Sequence, residues 1–238
     1  MLEDSALRRS LDALSSFFIG TATMSDTLFN VTDLAAQAIP AAKFIGLTMI
    51  VDNKPTTAVF SDPESPEIDQ AQYSSGKGPC IEAFATGEVR VIRSTREPNE
   101  WPEFSEACLQ HGILSTLSLP LAIAGMPLGA MNLYADAEGL FDQAEIETAS
   151  LFASQASIVL ANSQAYWDAR SLGDQLSESI ASRAVIEQAK GIIMGSMRCT
   201  ADQAFSYLVQ QSQQTNTKLR VVAQNIVNDT TRHLRGVT

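Results

Sequence analysis

The chain has 238 residues, of which 45% are hydrophobic and 18% are charged, and its formal net charge at pH 7 is −11. These proportions are typical of a folded protein and exclude a disordered one. No apolar run approaches the ~18 residues that a membrane-spanning helix needs, and the acidic balance argues against broad adhesion to anionic membranes. The length leaves room for one domain of about 150 residues and a smaller one.

The few cysteines and histidines argue against a metal centre. Cys80, Cys108 and Cys199 are far apart and form no CxxC pair, and the two histidines are His111 and His233. We therefore expect no metal site, no disulfide framework and no histidine-based catalytic triad. The first residues lack the apolar core of a signal peptide, and the scattered, unpaired cysteines fit a reducing cytoplasm, where we expect the protein.

Helices and strands alternate irregularly through the first two thirds of the chain. Apolar spacing predicts helices at Ala6–Phe18 and Ser25–Ile39, the second capped by Ser25 or Asp26. The elements predicted next are strands at Phe44–Val51 and Thr56–Phe60, a short helix within Pro63–Tyr73, a helix ending at Gly87, a strand to Ile92, a helix at Asn99–Gln110, strands at Leu114–Ile123 and Leu128–Tyr134, and a long helix at Phe141–Ser163. This order predicts an α+β domain, residues 1–162, with helices on an antiparallel sheet.

Three motifs of this region resemble the GAF family of small-molecule sensor domains. They are GPCIEAFATGEV at 78–89, WPEF at 101–104, and LSLPL at 117–121 followed by GAMNLY at 129–134. The resemblance covers roughly residues 25–162 and implies a ligand pocket between the sheet and its covering helices, for a ligand that the sequence does not identify. Candidate pocket residues are Tyr73, Cys80, Phe84 and Trp101, although core packing explains each of them as well.

Two features of this domain raise the question of catalysis, a glycine-bearing segment and a possible cysteine pair. The segment Gly76–Pro79 lacks the GxxxxGK[ST] pattern of a phosphate-binding loop, so a turn is the better interpretation. Some GAF-like domains are similar to a reductase for free methionine sulfoxide that uses paired cysteines, and Cys80 and Cys108 could be such a pair. Because free cysteine is among the most buried residue types, we favour two core residues and expect no enzymatic activity.

Residues 163–179 are predicted to connect the two domains. Apolar residues recur here every seven positions, a weak heptad pattern that favours self-association along a helix. They are Leu151 and Ile158, just before this segment, and Ala165 and Leu172 within it; Leu176 follows at a d-like position of the heptad. A continuous helix would transmit a change in the first domain to the second. The alternative is a helix that ends near Ser163, followed by a short linker.

The charge of the last quarter of the chain is opposite to that of the rest. Residues 180–238 contain seven basic and three acidic residues, a net charge of +4, so residues 1–179 carry −15. A small basic module on an acidic body is typical of a protein that binds a polyanion through that module.

Three helices are predicted within residues 180–238. The first has one apolar face from Val185 to Met197, and the second begins with a capping box at Thr200–Gln203. The third starts near Asn216 or Thr217. A bundle of about 55 residues is only marginally stable alone, so we expect support from the connecting helix or from a dimer partner.

Gly191, Lys218 and Arg220 depart from what helix stability alone would select. Gly191 weakens the middle of a helix, which indicates packing or a close backbone approach there. Lys190 could form an ordinary i, i+3 surface pair with Glu187. Lys218 and Arg220 fall in the first turn of the third helix, where cations are unfavourable unless an anion such as a phosphate binds.

The same region resembles the ANTAR domain of bacterial transcription antiterminators over about residues 178–232. The resemblance rests on IEQAKGIIM at 186–194, on Ala204, Phe205 and Leu208, and on TNTKLRVVA at 215–223. It implies RNA binding, because members of that family bind paired stem-loops through hexanucleotide loops as dimers and prevent a terminator hairpin from forming. The residues matching the family's exposed motif positions are Gln188, Lys190, Gly191, Asn216, Lys218 and Arg220, with Ala189 matching at a position compatible with the core.

Together these features predict a homodimeric, cytoplasmic regulator in which the first domain senses a small molecule or redox signal and the last binds RNA. One departure from the family pattern is the uncharged segment 195–197, GSM, where many relatives have charged residues. The main alternative is a ligand sensor whose helical module binds a protein partner.

Overall fold

The computed structural model describes the chain except residues 1, 18–19, 21, 52–53, 62–64 and 236–238. The chain divides into two units, Met1–Trp167 and Asp168–Thr238. Within the described ranges, every helix is too short or too polar to cross a membrane.

In its described residues the first unit has five strands and six α-helical segments. In chain order they are α1 (Leu2–Ser16), α2 (Met24–Ala38), β1 (Phe44–Val51), β2 (Lys54–Phe60), α3 (Ser65–Ser75), α4 (Pro79–Thr86), β3 (Arg90–Ile92), α5 (Pro102–Gln110), β4 (Ser115–Ile123), β5 (Met126–Ala135) and the beginning of α6 (Gln143–Met197). The strands form one antiparallel sheet in the order β2-β1-β5-β4-β3. The predicted α+β class, an antiparallel sheet with flanking helices, is confirmed.

Alternation along the strands separates the core into two clusters, one on each face of the sheet. Ile45, Leu47 and Met49 of β1 belong to a large cluster that includes buried residues of α1, α2 and α6. Phe44 of β1 and Tyr134 of β5 belong to a smaller cluster with buried residues of α3 and α5. Because successive strand residues point to opposite faces, Thr48 lies on the second face, together with Asn132 of β5.

The starts and ends of two helices follow from specific caps. Helix α2 begins at Met24, and its N-cap is Thr23, which exchanges hydrogen bonds with Asp26 in a capping box. The predicted cap at Ser25 or Asp26 was therefore wrong: Asp26 takes part as the reciprocal third residue of the box. Helix α4 ends at Gly87 as predicted, because this glycine adopts the left-handed conformation with a φ of 71°.

The predicted continuous connecting helix is confirmed. Helix α6 is 55 residues long and includes the whole of residues 163–179. Every residue from Asp168 to Ala181 is exposed, including Leu172, Leu176 and Ile180.

The second unit is a three-helix bundle formed by the end of α6, α7 (Ala201–Thr215) and α8 (Leu219–Arg235). Its small core consists of Ala189, Ile193, Ala204, Leu208 and Ala223. The predicted capping box at Thr200 is present, with Gln203 as its partner. Helix α8 begins at Leu219, later than predicted, because Asn216 caps the end of α7 in the left-handed conformation (φ 48°, ψ 39°).

Candidate functional site

A cavity of about 390 Å³ opens on the second face of the sheet, beside helix α4. It is lined by Thr48, Ile50, Pro55, Cys80, Ile81, Phe84, Ala85 and Gly129. Gly129 is required by the fold as well, since a Cβ atom there would lie 1.9 Å from the carbonyl oxygen of Thr48 on the neighbouring strand. The cavity therefore borders a point where the backbones of β1 and β5 lie too close together for a side chain at residue 129.

A network of buried polar side chains lies behind the cavity wall. The hydroxyl of Tyr134 donates to the buried carboxyl group of Asp69, and the amide of Gln72 donates to the same oxygen at 2.9 Å. The amide of Asn132 contacts Asp69 at 3.4 Å and Thr48 at 3.2 Å. Gln72 also accepts a 3.0 Å hydrogen bond from the backbone N–H of Cys80 at the first turn of α4. The network thus fixes α3 and α4 against the sheet.

The predicted pocket residues lie in different places. Cys80 and Phe84 line the cavity. Tyr73 does not line it, but its hydroxyl group lies 2.8 Å from the hydroxyl of the lining residue Thr48. Trp101 belongs to the smaller core cluster, donates a 2.9 Å hydrogen bond from Nε1 to Glu82, and borders a separate depression. Most of the lining and the whole network behind it were missed, because alternating apolar and polar residues do not reveal which strands become neighbours.

The two candidate reductase cysteines are both free and buried. Burial raises the pKa of the Cys80 thiol to about 12, with a smaller contribution from the nearby Asp69 carboxyl. Burial, again with Asp69, also raises the pKa of Cys108. Since the thiolate is the reactive form, these surroundings disfavour the nucleophilic chemistry of a reductase.

The RNA-binding candidates on α6 do not share one side of the helix. Gln188 and Gly191 are exposed, while Ala189 is completely buried in the core of the bundle. Lys190 follows Gln188 by two residues, which separates their directions by about 200°. A Cβ atom on Gly191 would meet no atom within 4 Å, so packing inside the chain does not explain this glycine.

Two of the three candidate cations form an ion pair with a carboxylate of the chain. Lys190 Nζ lies 2.9 Å from one carboxylate oxygen of Glu187 and 3.0 Å from the other. The guanidinium of Arg220, in the first turn of α8, pairs with Glu178 on α6. Glu178 precedes Gln188 by ten residues, about 15 Å along a helix axis, so Arg220 contacts α6 well away from the Gln188–Gly191 motif.

Lys218 differs from the other two cations. It is exposed, and no acidic side chain in the described part of the chain pairs with it. Its carbonyl oxygen accepts from the N–H groups of Val221 and Val222, so Lys218 lies just before α8 and not within its first turn. The lysine therefore stands at the positive end of the helix dipole, where an anion is favoured.

The described residues contain no group of three or more histidine, cysteine, aspartate or glutamate side chains placed to hold a metal ion.

Known structures share the fold of the first unit. The domain of a protein described as a two-component sensor histidine kinase from Sinorhizobium meliloti 1021 matches with a TM-score of 0.52 and 16% identity, covering 63% of this chain and 99% of that one. Free methionine-R-sulfoxide reductase from Neisseria meningitidis matches with a TM-score of 0.52 and 15% identity, over 69% and 92% of the two chains. The GAF domain of an Acinetobacter phosphoenolpyruvate-protein phosphotransferase matches with a TM-score of 0.50 and 14% identity, over 69% and 95%. At these identities the similarity establishes the fold alone.

Sequence families account for most of both units. No curated protein matches the chain in sequence. Residues 21–161 match the GAF domain family, and residues 174–227 match the ANTAR domain. The chain belongs to the GAF domain family and carries an ANTAR domain after its GAF domain.

Proposed function

We propose that this protein is a signal-responsive, RNA-binding regulator of transcription antitermination. The GAF domain binds a small molecule, and the ANTAR domain binds stem-loops in a nascent transcript. The observation that carries the proposal is the coincidence of the ANTAR match with the basic end of an acidic chain, +4 over residues 180–238 against −15 over the rest. Such a charge distribution confines a polyanion to one module and repels it elsewhere.

The exposed motif residues make two kinds of contact with RNA, to phosphates and to bases. Lys218, Arg220 and Lys190 contact phosphates, which sets the salt dependence of the affinity. Gln188 and Asn216 hydrogen-bond unstacked loop bases, and the open space beside Gly191 admits the RNA backbone. Arg220 of α8 contacts α6 at Glu178, well away from Gln188. The proposed RNA contacts therefore fall in two groups, which suits a folded stem-loop better than a short single strand.

Self-association along α6 is part of the proposal. Leu172, Leu176 and Ile180 are 66%, 60% and 62% exposed, a high value for three large apolar side chains on one helix. Their positions fall within about 80° of one another around the helix, so they form a stripe that a second copy would cover. A dimer would also supply the stability that a bundle of this size lacks.

With this function the protein acts in the bacterial cytoplasm, where nascent transcripts are found. The proposal also includes that the protein has no enzymatic activity. Two observations support the second point. The thiols of Cys80 and Cys108 are buried with raised pKa values, and the similarity to methionine sulfoxide reductases is a similarity of fold.

A second candidate function is a sensor whose helical module binds a protein. The pairing of Arg220 with Glu178 and of Lys190 with Glu187 favours it, since these pairs reduce the positive field available to RNA.

A titration separates the two functions. The full chain is titrated against an RNA of two stem-loops with six-nucleotide loops at several salt concentrations, and a duplex of the same stems without loops serves as the control. The proposal predicts loop-dependent binding whose logarithmic affinity falls linearly with the logarithm of the salt concentration. Equal binding of the loopless duplex, or no binding at low salt, would contradict it and favour the protein-binding alternative.

A further inference from the structure

We propose that the cavity of the GAF domain binds an uncharged, apolar small molecule with the bulk of a bicyclic ring, and excludes nucleotides and other anions. This inference rests on the proposed sensing function, and it names the chemical class of the ligand.

The lining residues that the structure describes supply apolar surface and no charge. Six of the eight lining residues are Ile50, Pro55, Ile81, Phe84, Ala85 and Gly129. None of these eight described residues is lysine, arginine or histidine, so an anion in contact with them would lose its water without gaining a counter-ion from them. Burying an unpaired charge in this way is strongly unfavourable.

The hydroxyl group in the lining is already fully engaged. Thr48 Oγ1 lies 2.8 Å from the hydroxyl of Tyr73, 3.2 Å from Nδ2 of Asn132 and 3.4 Å from Sγ of Cys80. A hydroxyl makes at most one donor and two acceptor hydrogen bonds. Thr48 therefore has no hydrogen bond left for a ligand, and the cavity behaves as an apolar one.

Two acidic groups in the described part of the chain lie next to the cavity. Cys80 lines it, and the Asp69 carboxyl group lies close enough behind to raise the pKa of Cys80. Ionisation of either group would add negative charge at the wall. This arrangement disfavours phosphates and carboxylates further.

The volume sets the size of the ligand. An apolar protein cavity of about 150 Å³ holds one benzene ring, and this cavity measures about 390 Å³. A bicyclic aromatic or an aliphatic molecule of similar bulk fits within it.

The test measures the binding of three probes to the full chain by isothermal titration calorimetry in the absence of RNA. The probes are naphthalene, 1-naphthoate, which adds a carboxylate to the same rings, and cyclic AMP. We expect naphthalene to bind, 1-naphthoate to bind at least about tenfold more weakly because its charge is unpaired, and cyclic AMP not to bind. Binding of 1-naphthoate or cyclic AMP as tightly as naphthalene, or no binding of naphthalene, overturns the proposal.

Two variants locate the site. Ala85→Trp adds a large side chain at the exposed edge of the cavity and should abolish naphthalene binding, whereas Ala36→Trp, at an exposed position on α2, should not change it. If Ala85→Trp does not fold, the smaller Ala85→Leu replaces it, with a partial loss expected. Naphthalene binding that survives the cavity substitution overturns the proposal. RNA titration is a separate measurement, so a failure of RNA binding leaves this result unaffected.

Discussion

The carboxylate of Glu178 on α6 holds the guanidinium of Arg220 on α8, so an acidic group occupies the place that an RNA phosphate would take. Both side chains remain substantially exposed, at 60% and 43%. An exposed pair of this kind contributes little to stability. Under the proposed function its main effect is therefore on binding, because RNA would have to replace Glu178 before it could contact Arg220.

Replacement of this carboxylate should strengthen RNA binding. In Glu178→Gln the guanidinium is free, and we expect the affinity for the two-stem-loop RNA to rise by up to about fivefold. The dependence on salt should steepen by about one released ion. The matched control is Asp174→Asn, which removes the same charge from an exposed position one turn earlier on α6. An equal gain in the control would show a general charge effect and refute competition by Glu178.

Lys218 should be the most important single cation for RNA binding, because it has no acidic partner in the described residues. We expect Lys218→Ala to weaken binding to all RNA sequences alike and to lower the salt slope by about one. Lys77→Ala, which removes an exposed lysine from the GAF domain, is the control and should leave both quantities unchanged. Filter binding at three salt concentrations measures them. A Lys218 variant with the parental slope would exclude a phosphate contact there.

Gly191→Ala should change stability and RNA binding in opposite directions. Alanine favours the helix by about 0.5–1 kcal/mol, and nothing in the chain obstructs the added methyl group. The free energy of unfolding should therefore rise, while RNA affinity should fall because the methyl group blocks the approach of the backbone.

Gly173→Ala provides the comparison for this substitution. It lies in the same helix with the same open space, and it should stabilise the protein without changing RNA binding. Urea denaturation and RNA titration of both variants measure the two effects. If both variants bind RNA like the parent, Gly191 has no part in the interface.

Stability should fall at alkaline pH because of buried thiol and phenol groups. Burial raises the pKa of Cys80 from 9.0 to about 12 and also raises those of Cys108 and Tyr134. Between pH 9 and about 12 the unfolded chain releases protons that the folded chain keeps, so the unfolding free energy decreases as pH rises. Each fully shifted group contributes up to about 1.4 kcal/mol per pH unit.

Urea denaturation under reducing conditions at pH 8.0, 9.5 and 10.5 tests this dependence. Cys80→Ala should show a shallower loss than the parent protein. A Cys80→Ala slope equal to that of the parent would mean that Cys80 ionises in the folded state as it does in the unfolded one.

Leu176→Asn should weaken self-association, since it places an amide in the exposed apolar stripe of α6. We expect the parent to sediment as a dimer at micromolar concentration and the variant to dissociate at least about tenfold more readily. Asp174→Asn introduces the same residue on another side of the helix and should remain dimeric. A monomeric parent, or a variant as dimeric as the parent, would contradict the proposed interface.

Local sequence patterns predicted most of the elements, since helical and strand periodicity depends on neighbouring residues. The capping box at Thr200 and the i, i+3 pair of Lys190 with Glu187 were predictable for the same reason. The cap of α2 was placed wrongly because several polar residues precede that helix, and the sequence alone does not show which of them adopts the extended backbone conformation.

The cavity and the polar network behind it could be predicted only in part, because their residues come from distant segments of the chain. Asn132 and Asp69 are 63 residues apart, and they meet only through the pairing of β5 with β1 and the position of α3. Likewise Glu178 is 42 residues from Arg220 and outside the matched motifs. The family resemblance indicated which basic residues to consider, but the acidic residue that occupies one of them depends on the packing of α8 on α6.

The fully exposed stretch of α6 from Asp168 to Ala181 also affects the thermodynamics of the connection between the domains. A helix of about this length is marginal in water without packing, and Gly173 weakens it further. In the proposed dimer a second copy covers Leu172 and Leu176, so the helix–coil equilibrium of this stretch would depend on dimer formation. As a result, the mechanical continuity between sensing and RNA binding would vary with the amount of protein in the cell, even at a constant level of ligand.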